Sequence, residues 1–90
     1  MQTLHLFITG FVQGVGYRAW TMRTAIAMGI VGWVRNLPDG RVEVVAIGPK
    51  TVLDQFLTAC FGGPTGSFVR EIVSAWESVE GEYVDFKILV

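Results

Sequence analysis

The chain has 90 residues, 51% of them apolar and 17% charged, which is enough to bury one core and too little for two. Residues 1–90 are therefore expected to form a single ordered domain rather than a disordered segment. A net charge of −1, with seven Lys and Arg scattered along the chain, offers no basic face and argues against a nucleic-acid partner.

Cys60 stands alone, so neither a disulfide framework nor a cysteine zinc cluster is available, and it reads as a small buried hydrophobe. The stretch from Met1 to Tyr17 has no charged side chain apart from a protonated His5, yet it lacks a basic leader and is cut by glycines. No signal peptide and no membrane span is expected, and a cytoplasmic location is the default.

In chain order, Leu4, Leu6 and Ile8 alternate with His5, Phe7 and Thr9, which predicts a first strand apolar on both faces. A glycine-rich loop follows at once. Tyr17 to Met28 contains no Pro or Gly, and Tyr17, Trp20, Thr21, Thr24, Ala25 and Met28 recur at helical spacing until Gly29 ends the run. Ala19, Met22 and Ile26 fall on the face predicted to point outward, a candidate contact surface for another subunit. Ile30 to Asn36 and Arg41 to Gly48 read as two strands. The "LPDG" between them turns the chain: Pro38 presets φ, Asp39 caps its own backbone and Gly40 accepts a positive φ.

A second helix is predicted from about Thr51 to Phe61. Thr51 and Asp54 have capping-box spacing, Val52, Phe56 and Cys60 share a face, and "GGP" stops the helix. Phe68 to Glu77 reads as a strand with imperfect alternation, and Val84 to Leu89 as the last, with Phe86 and Ile88 inward. Glu71, Glu77, Glu80, Glu82 and Asp85 read as solvated surface. The fold class is α+β: a βαββαβ order, giving an antiparallel sheet with two helices on one face.

The stretch "GFVQGVGYR", Gly10 to Arg18, carries the chemistry. Gly10, Gly14 and Gly16 let successive N–H groups converge, and a helix N-terminus adds free donors. Arg18 breaks a local rule, because a cation in the first turn opposes the helix dipole by a few tenths to about 1 kcal/mol. A bound anion would repair the violation; alternatively the glycines only make a tight turn and Arg18 points to solvent. "GVGYRA" fits G-x-G-x-x-A, but the following strands read as an antiparallel hairpin, and a phosphate-binding P-loop would need Gly-Lys-Ser/Thr. Asn36 offers a donor and an acceptor able to hold a water, while spacing alone favours a turn cap. His5 reads as a surface or packing residue. No Ser-His-Asp set, metal-ligand set or carboxylate dyad can be assembled.

"ITGFVQGVGYR" resembles the first signature of acylphosphatases, and "GWVRNLPDGRVEVVAIG", Gly32 to Gly48, resembles the second. Separated by one helix, the two motifs make the resemblance specific, and it spans essentially the whole chain. It implies a ferredoxin-like α/β sandwich that hydrolyses carboxyl-phosphate anhydrides without metal or cofactor. By motif position, the phosphate would be held by Val12, Gln13, Gly14, Val15, Gly16, Tyr17 and Arg18, through backbone N–H groups and the Arg18 guanidinium. Asn36 would orient the attacking water, and a phosphate oxygen of the substrate would accept its proton. The implied partners are a small-molecule acyl phosphate and inorganic phosphate, with the chain a monomer and a homo-oligomer left open. Tyr17 departs from the family's usual Phe, Ala59 and Cys60 stand where a Trp is common, and "GGPTGSFV" is only loosely similar. Two other classes stay open: a non-catalytic phosphate- or ligand-binding module, and an RNA-binding domain needing aromatic and basic residues on the sheet.

Overall fold

A computed structural model describes residues 1–78 and 82–89. The elements are β1 (Gln2–Phe11), α1 (Tyr17–Ala27), β2 (Val31–Asn36), β3 (Val42–Gly48), α2 (Lys50–Gly62), β4 (Phe68–Glu77) and β5 (Phe86–Ile88). The sheet order is β4-β1-β3-β2-β5. Its first four strands form the expected antiparallel sheet, with β1 paired to β3 and β4, and β2 to β3. The predicted last strand, Val84 to Leu89, is β5 over Phe86–Ile88 and pairs parallel to β2, so the full order is βαββαββ, one strand more than βαββαβ, and the sheet is mixed.

Period-two alternation explains the core. Leu4, Leu6 and Ile8 of β1, Val34 of β2, and Val42, Val44 and Ala46 of β3 are all fully buried beneath the helices, beside Leu53, Phe56 and Cys60 of α2. β3 is central and buried along its length, whereas β4, at one edge, is mostly exposed. The uneven pattern of β4 has a cause. Thr9 pairs with Glu71 but Gly10 with Val69, so Arg70 is an extra residue, and the bulge lets Val69 and Ile72, three apart, both pack on the core. Gly10 is required at this bulge, because a Cβ there would lie 2.1 Å from the Phe68 carbonyl oxygen.

Three local expectations change. α2 starts at Lys50 behind an extended Pro49, with no side-chain cap, and Asp54 pairs with Lys50 at 3.1 Å instead of closing a box with Thr51. Leu53 takes the buried position on α2, with Val52 only partly buried. The outward apolar stripe on α1 does not form: Ile26 is 59% exposed, but Met22 packs against the core and Ala19 is half-buried. α1 rests on both β2 and β5, and Ile88 of β5 shares a cavity lining with Ala19.

The sheet's other face is open. Here His5 lies between Glu43 and Glu77, and Arg35 pairs with Glu43 at 2.7 Å. Arg35 also lies over the Trp33 ring, and Arg41, paired with Asp39, over Phe7. Glu77 therefore belongs to a network, while Glu71, Glu82 and Asp85 are exposed as expected; Glu80 lies outside the described residues.

Candidate active site

The register puts the two polar features at one end of the sheet. β1 and β2 both run antiparallel to β3, so they are parallel to each other, and β1 continues three residues past the level of Asn36, to Phe11. Val42 pairs with Ile8 on one side and with Asn36 on the other. Asn36 thus lies two strands, or about 10 Å, from Ile8, on the end of the sheet from which β1 runs on into the glycine loop.

The loop then turns directly into α1. Gly14 and Gly16 adopt φ of 77° and 81°, left-handed values that disfavour any residue with a Cβ. Gly16 is the N-cap of α1, without a capping side chain and with no acidic residue in the first turn. Trp20 N–H to Gly16 C=O is the first helical bond, so the N–H groups of Tyr17, Arg18 and Ala19 have no intrahelical acceptor. Val12, Gly14, Gly16, Tyr17, Arg18, Ala19 and Ile88 line one cavity of about 210 Å³. Arg18 is half-buried in that lining, and no carboxylate pairs with it among the described residues.

Gln13, Val15 and Asn36 do not line the cavity. Val15 packs partly on the core. The Gln13 side-chain amide instead donates to the carbonyls of Leu37 and Arg41, at 2.8 and 2.9 Å, tying the loop to the β2–β3 turn. Ala19 and Ile88 enter the lining unannounced by the motif: Ala19 follows Arg18 on the helix, and Ile88 arrives only because β5 pairs with β2.

Asn36 does not cap the turn. Leu37 N–H to Arg41 C=O and Gly40 N–H to Leu37 C=O close it, and the Asp39 carboxylate accepts the Arg41 N–H at 3.1 Å. The Asn36 Oδ1 is buried with no hydrogen-bond partner among the described residues. Such an acceptor calls for a reason, because leaving one unpaired costs about 1–3 kcal/mol.

Tyr17, the departure from the usual Phe, has found work for its hydroxyl. It donates to the Cys60 carbonyl at 2.5 Å, one of the last-turn acceptors of α2 that the helix leaves free. Burial, then the neighbouring Cys60, raises the phenol far above its ordinary pKa, so it stays protonated. Burial also pushes the Cys60 thiol up to about 12, partly offset by Tyr17, which leaves it a packing residue. His5, the sole histidine, is on the open face and outside the cavity lining. Among the described residues no group of His, Cys, Asp and Glu has the arrangement to hold a metal ion.

The fold and the loop together define a class: a small ferredoxin-like domain with a glycine-lined cavity at a helix start, carrying an arginine that has no carboxylate partner among the described residues. Comparison with known proteins makes it particular. The family model for acylphosphatase matches residues 4–88. The acylphosphatase of Methylococcus capsulatus is 46% identical over 99% of this chain and 97% of its own. That of Nostoc is 46% identical over 86% of this chain and 76% of its own. The crystal structure of acylphosphatase from Bacillus subtilis, 33% identical, superimposes with a TM-score of 0.97 over 100% of both chains. The chain belongs to the acylphosphatase family, and it is a hydrolase.

Proposed function

We propose that the chain hydrolyses acyl phosphates, splitting the carboxyl-phosphate bond to a carboxylate and inorganic phosphate. The phosphate binds to the N–H groups of the loop from Val12 to Arg18 and to the Arg18 guanidinium, whose planar fork suits phosphate oxygens. The carboxamide of Asn36 orients a water for attack on phosphorus, in line with the departing carboxylate. The observation that carries this reading is the unmatched donor set at the start of α1: Arg18 with no carboxylate partner among the described residues and three helix N–H groups with no acceptor in the helix, on one cavity, while Asn36 takes its role from its motif position.

A carboxylate is a good leaving group, so positioning and charge stabilisation supply most of what the reaction needs. The cavity lining contains no carboxylate, imidazole or thiol, and its phenol is held protonated against Cys60. A phosphate oxygen of the substrate therefore takes the water's proton. In this reading the substrate is a small molecule, no nucleic acid takes part, and the chain acts as a cytoplasmic monomer of one domain.

Benzoyl phosphate hydrolysis, with a phosphate monoester as control, tests the reading. Purified protein should turn over the acyl phosphate and leave the monoester. Asn36→Ala should lower kcat about 10²-fold with little change in KM, as expected when an interaction made only in the transition state is lost. Full activity of folded Asn36→Ala would refute the water-positioning role, and phosphate binding without turnover by the unaltered protein would favour a binding module.

A further inference from the structure

The Gln13 amide bonds are surplus to the turn they grip. Leu37 C=O already accepts the Gly40 N–H, and Arg41 C=O already accepts the Leu37 N–H. Each carbonyl uses its second lone pair for Gln13. The hairpin therefore closes by its own backbone, with or without Gln13. What the amide adds is a rigid link between two segments 24 and 28 residues apart, the glycine loop and the turn.

The link grips the turn at its two ends. Leu37 directly follows Asn36, and Arg41 directly precedes Val42, the residue that pairs with Asn36. A planar carboxamide with both N–H bonds engaged cannot slide along the turn, so the loop that holds the phosphate and the strand end that holds Asn36 keep one separation. We infer that the Gln13 side chain is a positioning residue. It does not grip the phosphate but sets the distance between the phosphate cradle and the Asn36 carboxamide. This rests on the reading that Asn36 places the attacking water. Near-attack geometry is sensitive at the level of 1 Å, where misplacement costs about 10²-fold in rate, so a clasp at this position acts on turnover more than on stability.

Gln13→Met keeps the side-chain volume and removes both donors. It is expected to lower kcat for benzoyl phosphate about 10-fold or more while the inhibition constant of inorganic phosphate changes less than 3-fold. The decisive measurement is the cycle with Asn36→Ala. With Asn36 already removed, Gln13→Met should lower kcat further by less than 2-fold, because there is no longer a carboxamide to place. Equal effects in both backgrounds, or a phosphate inhibition constant that rises as kcat falls, would overturn the inference. If Asn36→Ala alone is fully active, the water-positioning reading fails; if it is impaired while Gln13→Met is fully active, only the clasp fails. The clasp is also testable in the unaltered protein by NMR. The Gln13 side-chain amide protons should exchange at least 10-fold more slowly than those of exposed Gln2 and Gln55, and equal rates would overturn it even if Gln13→Met does not fold.

Discussion

The molecule has two polar regions, one on the open face of the sheet and one at the helix-side end where β1 and β2 finish. On the open face, the charged groups are matched. Both ring nitrogens of His5 meet carboxylates, Glu43 at 2.6 Å and Glu77 at 2.8 Å, and Arg35 meets the other oxygen of Glu43. A neutral imidazole has one N–H, so only the protonated ring donates to both carboxylates. At the glycine loop the opposite holds: among the described residues Arg18 has no carboxylate partner, three helix N–H groups have no acceptor in the helix, and the Asn36 Oδ1 has no donor. The charged groups of the open face find their partners within the fold, although the Thr3 hydroxyl beside them is buried with no partner among the described residues. The groups left unmatched at the glycine loop, at a local cost, are where a ligand is to supply the partner.

The strongest way to break this contrast is at Arg18. Arg18→Ala should reduce kcat/KM for benzoyl phosphate about 10²- to 10³-fold, the usual loss when one charge-stabilising donor is removed. Its melting temperature should stay the same or rise slightly, since a cation opposing the helix dipole is gone. A variant that melted earlier and remained active would place Arg18 with the structural groups.

Glu43→Gln is the converse. Glu43 is 5% exposed and serves both His5 and Arg35, so the substitution should destabilise by about 1–3 kcal/mol, seen as a lower midpoint in urea. Turnover per folded molecule should not change, and a loss of kcat would join the two regions functionally.

Gly16→Ala sharpens the contrast within the backbone. No atom lies within 4 Å of a Cβ built there, so the penalty is conformational, about 1–2 kcal/mol for the left-handed φ. Activity should fall by more than that stability loss explains, because the Cβ and the relaxed loop disturb the N–H groups around the cavity. By contrast, Gly32 is a fold glycine: a Cβ there would lie 1.9 Å from the Val45 carbonyl oxygen.

The smallest effect is the pH dependence of the open-face network. Burial alone would lower the His5 pKa, but its hydrogen bonds to Glu77 and Glu43 and their charges outweigh it, so the value is raised. The linked stability is complete below about pH 6.5, the unfolded value, and is lost as pH rises through the folded one. Glu43 acts in the other sense. Burial alone would raise its pKa, but His5 and Arg35 hold it below the ordinary value, so its contribution is lost as pH falls through the folded value. Urea midpoints of the unaltered protein should decline slightly from pH 6 into the alkaline range, the effect being small because His5 is partly solvent-screened. His5→Gln should flatten that decline, and an unchanged slope would show that the imidazole is not the titrating group.

Much of this was legible locally. The alternation of Leu4, Leu6 and Ile8, the helical spacing from Tyr17, the "LPDG" turn and the positive-φ glycines depend on residues within a few positions of one another. The sequence motifs also pointed to Arg18 and Asn36 as a pair. Other features were not visible there. Thr51 and Asp54 had the spacing of a capping box, yet the N-cap is Pro49, two residues before Thr51. Met22 read as outward, yet it packs partly buried against the core. Gln13 read as one loop residue among seven, because nothing in its spacing shows which carbonyls its amide reaches.

The sequence by itself determined the elements, the turns and the local anomaly of a cation at a helix start, since backbone sterics and side-chain period act over a few residues. Only the tertiary structure decided that Val42 would lie between Ile8 and Asn36, that Gln13 would clasp the turn, and that His5 would meet carboxylates 38 and 72 residues away. Those contacts depend on which strands lie side by side, and that is settled by how two helices cover one face of a five-stranded sheet rather than by any short stretch of chain.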